Sequence, residues 1–216
     1  MALSASFIGI IPALIVGVLV AGVLNTLVFT EKPTAIQTAT VADPIPQSSP
    51  PINWQEAETQ FKMGQAFRLG VGVPKNVEEA FAWIQKSAGK GFAEAQNMLG
   101  FMYSRGEGTP QNNTEAYNWY LLSAQQGNAK GQTNLGYVLA NKDSEFHDYA
   151  EAAKWLSKAA EQGEEIAQEK LGELYYWGRG VQKNYTEAAK WYRLASAQGS
   201  QEAEHMLGVM QINGQA

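Results

Sequence analysis

The chain has 216 residues, with 16 lysines and arginines against 21 aspartates and glutamates, a net charge of −5 and no cysteine. Phosphate binding needs a clustered basic face, and no basic run occurs, so nucleic acid is not an expected partner. Without thiols there is no disulfide framework, no cysteine nucleophile and no zinc–thiolate or iron–sulfur site.

Residues 7–29 carry no charge and are mostly aliphatic. As a helix those 23 residues would extend about 35 Å, enough to cross a hydrocarbon core of about 30 Å. The first six residues hold no lysine or arginine, and the apolar run is longer than that of a secretory signal. The expectation is therefore an uncleaved transmembrane anchor over residues 1–31, with a signal segment as the alternative. Within it Gly9, Ala13, Gly17, Ala21 and Asn25 recur every four residues, a seam of small side chains ending in an amide. Such a seam lets two membrane helices cross closely, and it predicts a homodimer through the anchor. Residues 33–51 hold five of the eight prolines, and 32–52 read as an extended, semi-rigid linker.

From residue 53 onward the chain repeats. Trp83, Trp119, Trp155 and Trp191 are each 36 residues apart, and Gly64, Gly100, Gly136, Gly172 and Gly208 keep the same step. So do the series beginning at Gly91, Ala80 and Glu79. Periods of this size mark stacked supersecondary units. The predicted fold is an all-α solenoid of antiparallel helix pairs behind a single N-terminal transmembrane helix. Its units span 57–92, 93–128, 129–164 and 165–200, with a closing helix over 201–213, which makes nine helices in the repeat region.

Each series has a physical task. Ala116, Trp119, Tyr120, Ser123 and Ala124 form one face of a helix of period 3.6, the second helix of its pair. Asn76, Asn112, Asp148 and Asn184 precede these second helices, each with a glutamate three residues on, and predict reciprocal capping boxes. The Gly91 series predicts left-handed helix ends. Glycine inside the first helices costs about 1 kcal/mol relative to alanine, which predicts a neighbour too close for a Cβ at all five positions. Gly70-Val-Gly72, Gly106-Glu-Gly108 and Gly178-Arg-Gly180 are turns between the helices, whereas Lys142-Asp-Ser144 replaces the glycines in the third unit and predicts a different loop. The tryptophan series is expected to anchor the core, and Trp119→Ala to cost about 3–5 kcal/mol.

The run Ala93-Glu-Ala95-Gln96, Leu99-Gly100, Tyr103, Gly106-Glu-Gly108, Glu115-Ala116, Trp119-Tyr120, Ser123-Ala124 and Gln126-Gly127 resembles the Sel-1-like repeat, a relative of the tetratricopeptide repeat. The resemblance covers about three quarters of the chain. It implies an adaptor or scaffold for protein assembly, often in bacterial envelopes or membrane-linked quality control. With it comes the expectation of a single-pass membrane protein whose solenoid lies on the extracytoplasmic, periplasmic side.

Positions that vary between units are free for recognition. On the first helices the rows Phe61, Asn97, Thr133, Glu169, His205 and Gln65, Phe101, Tyr137, Glu173, Val209 vary most, followed by Arg68, Ser104, Ala140, Tyr176. They are spaced i, i+4, i+7 and share a face, which analogy with related solenoids puts on the concave side. Asn97, Phe101, Thr133, Tyr137, Glu173 and Tyr176 are the candidate partner-binding residues, lining a groove for a protein or peptide partner.

Other functions are weakly supported. A cell-envelope protein binding peptidoglycan or other carbohydrate through exposed aromatics is the alternative. Ser87-Ala-Gly-Lys90 spells the serine–lysine motif of β-lactamase-type hydrolases, but Ser87 shares its register with Ser123, Ala159 and Ala195, and no companion motif occurs. His147 and His205 fall in different units without a metal partner at i+4. No cofactor is implied, and a non-enzymatic scaffold is the expected class.

Overall fold

The structure, a computed structural model, describes residues 54–215. The uncharged segment, the linker and the Gly9–Asn25 seam lie outside the described residues. Among the described residues no helix is long and apolar enough to cross a membrane.

Nine helices follow in order among the described residues: α1 (Trp54–Leu69), α2 (Val77–Gly89), α3 (Ala93–Arg105), α4 (Asn113–Gln125), α5 (Ala129–Ala140), α6 (Tyr149–Glu161), α7 (Glu165–Trp177), α8 (Tyr185–Ala197) and α9 (Gln201–Ile212). Each of α3, α5 and α7 packs on the even helix after it and on the even one before it, α1 packs on α2, and α9 on α8. Direct contacts of α3 with α5 and of α5 with α7 place the first helices side by side. A lone pair of helices cannot hide its apolar face, so burial is shared between neighbours as one continuous stack.

The pairs close through glycine. A Cβ built on Gly64 would lie 2.6 Å from Ile84, on Gly100 2.7 Å from Tyr120, on Gly136 2.6 Å from Leu156 and on Gly172 2.9 Å from Tyr192. Those four side chains recur every 36 residues and sit at the centre of the stack, all nearly inaccessible. Gly208 departs from the expected pattern: among the described residues nothing lies within 4 Å of a Cβ there, and none of their helices packs on that side of α9. Three of the four tryptophans depart as well, while Trp191 is buried in the core as expected. Trp83, Trp119 and Trp155 are only half-buried, and the residue after each of them fills the core instead. Lys86 and Lys158 lie over the rings of Trp83 and Trp155, at 4.5 and 4.1 Å. These indoles cover the rim of the core, where an amphipathic ring can meet both apolar neighbours and a cation.

The second helices start as foreseen, with one difference. Asn76, Asn112 and Asn184 accept from the amides of Glu79, Glu115 and Glu187 at 3.0, 3.0 and 3.1 Å, and Asp148 accepts from two amides of its first turn. The reciprocal half of the capping box is absent here. Each cap's own N–H donates to a carbonyl nine residues upstream, that of Phe67, Tyr103, Leu139 or Tyr175, at 2.9–3.0 Å. The cap thereby ties the second helix to the end of the first, while Glu151 and Glu187 turn outward to Lys154 and Lys190. At the other end Gly91, Gly127, Gly163 and Gly199 have φ between 85° and 106°, the left-handed region favoured by glycine.

In the turns, a Cβ on Gly108 would collide with the Val77 carbonyl and one on Gly180 with the Tyr149 carbonyl. These two glycine turns therefore dock on the start of the second helix one unit back. The third unit reaches the same end without glycine. Phe146 stacks on Tyr117 at 4.1 Å between centroids, and Thr114 Oγ1 donates to Glu145 at 3.1 Å. Asp143 N–H binds the Asn141 side chain, α5 ends at Ala140, and the Asp148 cap still meets the Leu139 carbonyl.

A glutamine ladder completes the stack. Gln96, Gln132 and Gln168 donate to the carbonyls of Ala88, Ala124 and Ala160 at 3.3, 3.3 and 3.1 Å. They accept in turn from Gln126, Gln162 and Gln198 at 2.6, 2.7 and 2.8 Å. Carbonyls at helix ends lack intrahelical donors, and the ladder supplies them while crossing from one unit to the next.

Candidate interaction surface along the first helices

The six residues singled out on the first helices divide by burial. Tyr137 is 51% exposed, whereas Thr133 is 5% and Tyr176 9% exposed. Thr133 donates its hydroxyl to the Ala129 carbonyl at 2.9 Å, and Tyr176 packs among Trp177 and Tyr185. Neither presents a free face to a partner. Asn97 is half-buried and accepts from Asn134 Nδ2 at 2.8 Å, a bridge between α3 and α5. Phe101 lies between two guanidiniums, those of Arg68 at 5.3 Å and Arg105 at 5.8 Å. Arg68 also makes a forked contact to Glu107 at 2.9 and 3.2 Å, which holds α1 to the turn of the next unit.

Tyr137 and Glu173 do meet at a recess. This hollow of about 200 Å³ has Ala140, Leu156 and Leu174 as apolar lining and Lys170 and Arg179 at its polar edge. A second recess of about 360 Å³ lies on the other side of Tyr137, bounded by Ser104, Val138, Ser144 and Phe146. A third, of about 270 Å³, begins at Lys170 and Glu173 and ends at Trp177 and Met206. Tyr137 is thus the wall between two recesses, and the Lys170–Glu173 pair the wall between two. The three form a run across the second, third and fourth units to α9.

Charge along the run is ordered by ion pairs. Lys170 lies 3.3 Å from Glu169 and 3.2 Å from Glu173, which Arg179 also contacts at 3.2 Å. Burial opposes the Lys170 charge, but Glu173, Tyr137 and Glu169 outweigh it and raise its pKa. Lys170 Nζ also stands 5.5 Å from the Tyr137 ring centroid, which holds that wall in place. Sequence reasoning missed Lys170, Trp177 and Arg179. A signal was present for Arg179, since the middle of the turn changes from Val71 to Glu107 to Asp143 to Arg179 from unit to unit.

The serine–lysine motif resolves into packing. Ser87 is fully buried and donates its hydroxyl to the Ala57 carbonyl at 2.6 Å, as Ser123 does to that of Ala93 at 2.7 Å. Lys90 pairs with Glu56. His147 Nδ1 lies 3.0 Å from the Leu139 carbonyl, in the loop before α6, while His205 stands apart on α9. Among the described residues no three potential ligands gather for a metal.

The model of the Sel1 repeat matches residues 57–92, 93–128, 129–164 and 166–200. The chain belongs to the Sel1 repeat family. Sel1-repeat proteins are generally protein-interaction scaffolds. Two crystal structures are similar over 74% of the chain, each at 34% identity. One is a protective antigen present in uropathogenic Escherichia coli strains and displaying an SLR fold, with a TM-score of 0.69 and 34% of its chain covered. The other is a Sel1 repeat protein from Oxalobacter formigenes, with a TM-score of 0.65 and 66% covered. The chain thus spans about a third of the first relative and just under two thirds of the second. Comparison with curated proteins gave no match. Within the four Sel1 units the Trp83, Gly64 and Ala80 series, with the glutamine ladder, build the stack, while the recess residues differ from unit to unit.

Proposed function

We propose that the protein is a membrane-tethered adaptor whose first helices hold a linear segment of a partner protein along the run of recesses. The observation that carries this reading is the sharing of walls: Tyr137 with Asn141, and the Lys170–Glu173 ion pair, each border two hollows. Side chains spaced along one face of an extended peptide can then enter successive hollows, and the rings at the edges provide buried area. On this reading residues 7–29 anchor the chain, the linker holds the solenoid clear of the bilayer on the extracytoplasmic side, and the Gly9–Asn25 seam pairs two anchors. The support for the anchor is its uninterrupted uncharged length.

The test places a photocrosslinking amino acid at Tyr137 and, as a control, at exposed Glu161 on α6 of the full chain in native membranes. Discrete protein adducts from position 137 and not from 161 are expected. Equal labelling at both positions, or recovery of the chain only in the soluble fraction, would count against the adaptor and the anchor respectively. Cosedimentation with purified peptidoglycan that is lost in Tyr137→Ala would favour the carbohydrate-binding alternative.

A further inference from the structure

The third recess differs in chemistry from the other two. Glu169 and Glu173 on α7 and Glu202 on α9 face it, against a single ammonium, that of Lys170. Lys170 is already engaged by Glu169 and Glu173, and Ser200 Oγ donates to Glu169 at 2.8 Å. Among the described residues no cation pairs with Glu202. Trp177 forms an aromatic wall and is 53% exposed, a large ring left open beside carboxylates. Tyr192, at the floor, registers the same field: burial raises its pKa, and Glu173, Glu169 and Glu202 each raise it further. The chain shows one instance of the attraction itself. Outside the recess, the Arg179 guanidinium lies 5.7 Å from the Trp177 ring centroid and 3.2 Å from Glu173.

Resting on the adaptor reading, we propose that this recess receives an arginine or lysine of the bound partner segment. Its cation meets the Trp177 face and the Glu202 carboxylate, while an apolar or aromatic side chain of the same segment occupies the neighbouring recess over Leu156 and Leu174. Aromatic rings beside carboxylates select cations through the ring quadrupole and direct charge pairing. Adjacent helices pack about 10 Å apart, and a segment in the polyproline II conformation advances about 3.1 Å per residue with about three residues per turn, so the two side chains stand about three residues apart on one face. The partner is thus a basic-tagged linear segment.

A phage-displayed random-peptide library panned on the full chain tests this directly. Enriched peptides should carry an arginine or lysine about three positions from an apolar or aromatic residue. A synthetic copy of the leading peptide should lose about tenfold or more in affinity to Glu202→Lys and less to Glu202→Gln. Glu204→Lys makes the same change of charge on the same turn of α9 but outside this recess, and should alter affinity less than twofold. Far-UV circular dichroism of all three variants guards against a lost fold. Apolar peptides enriched without a basic position, or equal losses for Glu202→Lys and Glu204→Lys, would overturn the cation recess while leaving the adaptor reading standing. If no peptide is enriched, both fail.

Discussion

Alanine at Gly100 and alanine at Gly208 should shift stability in opposite directions, although both residues hold the same position in the repeat. Helix propensity alone favours each substitution by about 1 kcal/mol. At Gly100 the new methyl would lie 2.7 Å and 2.8 Å from two ring carbons of Tyr120 and 3.1 Å from the Ala116 carbonyl. The ring is buried and the carbonyl belongs to a helix, so neither can give way without moving α4. Overpacking of this kind costs typically about 1–3 kcal/mol and here forces a helix apart, which puts the net loss near 2 kcal/mol. At Gly208 none of the described residues comes within 4 Å of the new methyl, so the propensity gain of about 1 kcal/mol stands unopposed. Urea unfolding followed by far-UV circular dichroism reads the difference as midpoints displaced to either side of the parent's. For a slope of about 2 kcal/mol per molar, the two variants should differ by more than about 1 M. Midpoints that move the same way, or a more stable Gly100→Ala, would refute the claim that close helix approach explains the glycine column.

Three further outcomes follow from the packing and the titration behaviour. Tyr120→Ala should cost about 3–5 kcal/mol, whereas Trp119→Ala, removing a half-buried ring, should cost about 2 kcal/mol; urea midpoints of the two variants give the order. Asn112→Ala should cost about 1 kcal/mol, and Glu115→Ala clearly less, because the asparagine caps the helix and no reciprocal bond from the glutamate completes a box; thermal melts compare them. Burial raises the Tyr192 pKa above 10.0, so the native state keeps a proton that the unfolded chain has lost at alkaline pH. Stability from this group is therefore fully present below pH 10 and falls as pH rises beyond it, by about 1.4 kcal/mol per pH unit, and Tyr192→Phe should flatten that decline in urea titrations between neutral and strongly alkaline pH.

The repeat made much of the fold legible. Gly91 and its counterparts act locally, through the conformation of their own backbone, and so do Asn76, Asn112, Asp148 and Asn184 as acceptors for the next turn. Effects confined to a few neighbouring residues can be read along the chain. The glutamates three residues after the caps show where that reading stops. A glutamate at this spacing fits a capping box, yet the cap N–H finds a carbonyl from the preceding helix instead, and only the folded hairpin brings that carbonyl near. In the candidate site, the variable positions include Tyr137 and Glu173, which line the recesses, but variation did not separate a free side chain from a buried one. Thr133 has a partner within its own helix, and Tyr176 packs into the core beside Tyr185.

From sequence alone came the period of 36 residues, the helix pairs, the capping asparagines and the family, because each is a pattern in residue identity at fixed spacing. Tertiary structure alone decided that Tyr120 and its counterparts, rather than the tryptophans, fill the glycine notches. It also decided that no described residue closes on Gly208 and that Tyr137, Lys170 and Glu173 join three hollows into one run. The physical reason is range: backbone conformation and capping depend on residues a few places away, whereas burial and recess geometry depend on which helices lie against which across the stack.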